Sequence, residues 1–149
     1  MSLIKSYYLL CKPNVVYMML ICAFVGMLLA EDSVSSISTI CIALFGIALC
    51  SGSAAAINQV IDRKADAAMT RTDQRPLPQG ELSAFHASCF AFVIGMLGAL
   101  ILYVFINTLT MVLTLASLIG YAFIYTVYLK RATPQNIVIG GLAGAAPPL

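Results

Sequence analysis

An all-α, polytopic transmembrane helix bundle, with about four full spans and the start of a fifth, is the fold class that three features of the sequence predict. The first is composition: 61% of the 149 residues are hydrophobic and 9% are charged, where soluble domains carry roughly 25% charged residues. The second is segregation. The charges leave uncharged runs over 13–30, 33–61 and 82–129, and a helix needs about 20 apolar residues to cross the hydrocarbon of a bilayer. The third is sidedness. Lys5 and Lys12 precede the first run, Arg63, Lys64, Arg71 and Arg75 lie between the second and third, and Lys130 with Arg131 follow the third.

Taken in order, the first run predicts a span over 13–30. Glu31 and Asp32 follow it directly with no small-residue cleavage pattern, so it reads as a permanent span and not a signal peptide. The second run predicts a span over 37–57. The third is far too long for one crossing, and Asn107, Thr108 and Thr110 near its middle mark a tight hairpin, which gives spans over 84–106 and 109–129. A fifth apolar run, 137–149, reads as the start of another span. Because basic residues accumulate in cytoplasmic loops, the N-terminus and the polar segment 58–83 are expected on the cytoplasmic side. Cys11, Cys22, Cys41, Cys50 and Cys89 show no CxxC spacing, so small core residues are expected rather than a disulfide or thiolate site. Gly46, Cys50 and Ala54, and the pair Gly140 and Gly144, read as helix-packing faces.

The polar exception is NQVIDRKADAAMTRTDQRPLPQG, from Asn58 to Gly80. Good helix formers, with no Gly or Pro, predict that the second helix continues to about Met69. At about 100° per residue, Asn58, Asp62 and Asp66 then share one face, successive side chains about 6 Å apart in rise. Three oxygen donors on one stripe suit a hard cation, and magnesium in particular is commonly held by one or two carboxylates, water and the phosphates of a substrate. Arg71 and Arg75 follow, each able to fork two donors onto a phosphate. Pro76 and the turn at Pro78 to Gly80 are expected to end the helix and fold the arginines back toward the carboxylates. From spacing alone two readings stand: a magnesium–diphosphate clamp, and a solvated loop whose charges set topology.

Beyond spacing, NQVIDRKADAAMTRTDQRPLPQGELS resembles the first aspartate-rich motif of the UbiA-type intramembrane prenyltransferases, Asn-x3-Asp-x3-Asp followed by Arg-Thr-x2-Arg-Pro-Leu. MTRTDQRPLPQG and the final YTVYLKRATPQNIVIGGLAGAAPPL resemble the haem O synthase (protoheme IX farnesyltransferase) branch. The resemblance covers the whole chain but about half of the family's length. It implies a bundle of nine or so helices around a central cavity, with a second aspartate-rich motif beyond this sequence. The implied reaction moves farnesyl from farnesyl diphosphate to the vinyl group of haem B. By carry-over, Asn58, Asp62 and Asp66 hold Mg2+, and Arg71 and Arg75 bind the diphosphate. Lys130 is a further diphosphate contact, Tyr125 faces the allylic cation, and Arg63 stands beside them.

The partners so implied are farnesyl diphosphate, haem B, membrane lipids and a missing C-terminal half. Nucleic acid is excluded, since the net charge of +2 comes from basic residues scattered over three loops. The alternatives are a UbiA-type enzyme with an aromatic acceptor, a non-catalytic truncated membrane protein, and a transporter half; the last lacks a mid-span charge. His86, the one histidine, reads as an interfacial or capping residue in preference to a haem ligand. Most aromatics of the third and fourth spans, among them Phe85, Phe92 and Tyr103, are expected to face lipid or core.

Overall fold

The computed structural model describes residues 2–29, 36–70, 72–120 and 122. Five α-helices follow one another there: α1 (Leu3–Leu10), α2 (Pro13–Leu29), α3 (Ile37–Ala67), α4 (Ala84–Phe105) and α5 (Thr108–Ile119), with no strand among the described residues. α3 and α4 are each long and apolar enough to cross a membrane. α1 and α2 together make a third candidate, bent by 48°. The chain is an integral membrane protein, and its all-α bundle is the fold class expected.

Local chemistry sets the boundaries. Ser36 caps α3 by accepting from the Thr39 N–H, and Ser83 caps α4 by accepting from the His86 N–H. Asn107 opens α5 the same way, its Oδ1 taking the Thr110 N–H at 2.7 Å, so the expected hairpin is an N-cap. The span expected over 109–129 is seen as helix to Ile119. Its remainder and the run 137–149 lie outside the described residues.

One helix escaped the sequence reading. Residues 3–10 form α1, and Lys12, in the left-handed region at φ 51°, turns the chain into α2, whose first residue is Pro13. A left-handed residue past a helix C-terminus and proline at the first helical position are each common terminators and starters. Here they make an elbow ahead of the first expected span.

The central packing is the seam between α3 and α4, built from small residues. Ala43, Gly46, Cys50, Ser53 and Ala54 of α3 are buried, as are Ala87, Ala91, Gly95, Gly98 and Ala99 of α4. Without a hydrophobic drive between helices in lipid, close backbone approach and interhelical hydrogen bonds supply the attraction. Ser53 Oγ accordingly donates to the Ala91 carbonyl at 2.7 Å. The small-residue ridge at Gly46, Cys50 and Ala54 is thus a packing face, as expected.

Two apolar clusters flank this seam. Ala23, Ile47, Cys50 and Leu102 join α2, α3 and α4 deep in the span. Leu10, Ala56, Leu82, Ala87 and Ala91 tie α1 and the loop before α4 to the polar end. The cysteines correct an expectation: Cys50 is buried, but Cys22, Cys41 and Cys89 are exposed on the outside of the bundle. Phe85, Phe92 and Tyr103 are exposed there too. In a bilayer the exterior is as apolar as the core, so hydrophobic character does not place a residue inside.

A methyl on Gly98 would come within 2.8 Å of both Cys50 Sγ and the Gly46 carbonyl oxygen, so α3 and α4 would have to separate. Gly98→Val is expected to lower unfolding free energy in detergent by about 1–3 kcal/mol. Gly120→Ala, with no described atom within 4 Å of its added carbon, should leave it unchanged. Thermal denaturation followed by far-ultraviolet circular dichroism checks the pair, and equal losses would refute the seam as the critical contact.

Candidate diphosphate and metal site

α3 runs for 31 residues without a break, about 46 Å at 1.5 Å per residue. The hydrocarbon is about 30 Å thick. Its last three turns therefore emerge from the apolar slab, and these carry Asn58, Asp62 and Asp66. All three are buried, with 4%, 4% and 5% of their surface exposed. The four-residue spacing does place them on one face, and that face is turned into the protein.

Burying two carboxylates carries a large desolvation cost unless donors face them. Asp66 Oδ2 accepts from Arg75 Nη1 at 2.5 Å. Arg75 reaches it because the segment after α3 folds back through a series of tight turns. Asp73 N–H donates to the Met69 carbonyl, Arg75 N–H to Thr72, and Glu81 N–H to Pro76, with Gly80 at φ 73° closing the run. Thr72, buried, donates its hydroxyl to the Asp66 carbonyl at 2.9 Å and so caps the end of α3. Asp62 Oδ2 accepts from Asn58 Nδ2 at 3.1 Å. Asn58 Oδ1 in turn accepts from Lys12 Nζ at 2.5 Å, across 46 positions of sequence.

The elbow is held against this site by two more contacts. Gln59, 2% exposed, donates from Nε2 to the Leu9 and Leu10 carbonyls at 3.2 and 3.0 Å at the end of α1, where the Leu9 carbonyl also accepts from the Lys12 N–H. Ser6 Oγ donates to Glu81 Oε2 at 2.6 Å. Lys12, Gln59, Ser6 and Glu81 did not figure among the site residues expected from sequence. The Lys-Pro step before an apolar run was the available signal, but a lysine there is equally explained by topology.

Of the other expected residues, Arg63 is exposed and donates to the Val60 carbonyl of its own helix, away from the stripe. Arg71, Tyr125 and Lys130 lie outside the described residues. His86 is exposed, with Nδ1 3.0 Å from the Ser83 hydroxyl at the start of α4, a capping environment. Among the described residues no three His, Cys, Asp or Glu side chains converge into a closed metal cage. The donor set Asn58, Asp62 and Asp66 nonetheless fits magnesium, which takes few protein oxygens and completes its shell with water and phosphate.

Residues 19–149 match the UbiA prenyltransferase family. The chain belongs to that family. It is 57% identical over 145 residues to protoheme IX farnesyltransferase 1 of Shewanella sp. (strain ANA-3) and equally to protoheme IX farnesyltransferase of Shewanella oneidensis. It is 56% identical to protoheme IX farnesyltransferase of Saccharophagus degradans. Each alignment covers 97% of this chain and 48% of the relative, so the chain spans about half the length of the curated proteins it matches. No solved structure matches it.

Since Gln59 is the main polar tie between α1 and α3, Gln59→Leu should free α1 without disturbing the seam. Hydrogen exchange read by mass spectrometry is expected to rise about tenfold or more over residues 3–12, the loss of one to two net hydrogen bonds. It should stay level in α4. Unchanged protection of α1 would show that the apolar cluster around Leu10 and the Lys12 and Ser6 contacts hold the elbow without Gln59.

Proposed function

We propose that residues 1–149 are the N-terminal portion of a UbiA-type prenyltransferase domain, and that they supply the diphosphate-binding wall of an enzyme making haem O from haem B and farnesyl diphosphate. The observation that carries this reading is the buried stripe of Asn58, Asp62 and Asp66 with Arg75 folded onto it. It occurs in a chain closely similar to proteins named protoheme IX farnesyltransferase.

Asn58, Asp62 and Asp66 would hold Mg2+, which supplies positive charge against the oxygens of the departing diphosphate. Arg75, with Arg71 and Lys130, binds the remaining diphosphate oxygens. Fixed donors aimed at charge that develops as the allylic C–O bond breaks and its electron pair leaves with the diphosphate are the largest usual contribution at such a site. Tyr125 offers an aromatic face to the allylic cation. The farnesyl chain lies between helices, where each buried methylene contributes about 0.8 kcal/mol. The head of the substrate therefore sits at the polar end of α3 and its tail within the bundle. The protein would lie in the bacterial cytoplasmic membrane, with the N-terminus and the segment 58–83 on the cytoplasmic side. A second half, of the length its relatives carry, would complete the cavity and the haem-facing wall.

The test is haem O production by membranes containing the chain, alone and together with a supplied C-terminal half. With both halves present, Asp62→Asn and Asp66→Asn are each expected to cut turnover by about 10²-fold or more while membrane insertion persists. Arg75→Lys should chiefly raise the KM for farnesyl diphosphate, because a point charge does not replace a planar fork. Undiminished haem O from Asp66→Asn would overturn the metal role.

A further inference from the structure

We propose that the Lys12 ammonium is a stand-in cation that competes with the metal for the Asn58 oxygen, and that it makes the site take a divalent cation together with diphosphate in preference to the bare ion. This rests on the metal reading above and adds to it a residue that neither the motif nor the family match assigns.

The observation is one atom with two claimants. Asn58 Oδ1 is the oxygen the asparagine would offer to magnesium, and Lys12 Nζ already holds it at 2.5 Å. The amide's other end donates to Asp62 Oδ2 at 3.1 Å, so the ammonium also orients the first carboxylate through Asn58. Lys12 is not there by chance of a mobile tail. Its backbone is the left-handed pivot between α1 and α2, a conformation a non-glycine residue adopts only when its surroundings hold it, and Gln59 pins the Leu9 and Leu10 carbonyls at the end of α1.

Charge fixes the direction of the effect. Lys12 holds Asn58 and Arg75 holds Asp66, so two of the three stripe residues already carry a cationic partner. A bare divalent cation taking Asn58 Oδ1 must displace the ammonium and brings two positive charges to short range of it and of Arg75 in a poorly screened setting. A diphosphate arriving with the ion cancels that excess. The two ligands are thereby coupled, each raising the affinity of the other.

The experiment uses Mn2+ as the probe, read by electron paramagnetic resonance on the purified chain in detergent, with and without inorganic pyrophosphate. In the unaltered chain pyrophosphate should tighten Mn2+ binding; no tightening overturns the proposal. In Lys12→Met, Mn2+ alone is expected to bind about tenfold tighter, with a smaller enhancement by pyrophosphate. Lys12→Arg, which keeps the cation, should stay near the original values. Unchanged or weaker Mn2+ binding in a helical Lys12→Met chain overturns the stand-in role, and if that variant does not fold, the pyrophosphate coupling of the unaltered chain decides. Asp62→Asn separates the two levels. Loss of Mn2+ there, with Lys12→Met unchanged, removes this proposal alone, whereas Mn2+ binding that ignores Asp62→Asn removes the metal reading and this proposal with it.

Discussion

The continuity of α3 through the membrane surface is the constraint on which the rest depends. Its buried positions include Ala43, Gly46, Cys50, Ala54, Asn58, Asp62 and Asp66, in steps of three or four, so one interior stripe passes from apolar to polar with no change of register. Because each four-residue step drifts by about 40°, the stripe winds around the helix as it rises. α4 covers the apolar part. At the polar end the cover comes instead from the α1–α2 elbow and from the segment folding back after Ala67. The small-residue seam fixes how α3 is rotated, and that rotation aims the three polar side chains.

Electrostatics decides how a polar end of this kind stays buried. A carboxylate nine-tenths withdrawn from water is tolerated when donors replace the lost hydration. Arg75 does this for Asp66 and the Asn58 amide for Asp62, while Lys12 completes the amide on its other side. Asn58 is the joint of the arrangement, because an amide both donates and accepts where a third carboxylate would only accept. A third aspartate there would face Asp62 as a like charge and lose the bond between them.

These contacts also explain which parts of the architecture were legible in the sequence. The stripe was readable because it is local: a four-residue recurrence in a segment of good helix formers has one geometric outcome. The turn after α3 was readable from Pro76, Pro78 and Gly80, and the hairpin from Asn107. The contribution of Lys12 was not, since its partner lies 46 positions away and a lysine ahead of an apolar run already has an explanation in topology. α1 was hidden for a related reason. Its eight residues are too few to be told from a polar lead-in to the first span, and the turn that defines it depends on a backbone conformation at Lys12 that no residue type there announces. The exposed Cys22, Cys41 and Cys89 mark a more general limit, because in lipid a small apolar residue is equally at home on either side of a helix.

The elbow therefore belongs to the site and is not an appendage to the first span. Ser6 reaches Glu81, Gln59 holds the end of α1, and Lys12 holds Asn58, so three ties join the elbow to the end of the third helix and to the segment before the fourth. Ties between elements so distant in sequence need α2 and α3 side by side, and the cluster of Ala23, Ile47, Cys50 and Leu102 holds them so deeper in the bundle. The geometry of the polar end depends on packing in the apolar slab as well as on its own contacts. An alteration at the seam should thus reach the site through the rotation of α3, whereas an alteration at the elbow changes the site's charge balance and leaves the seam intact.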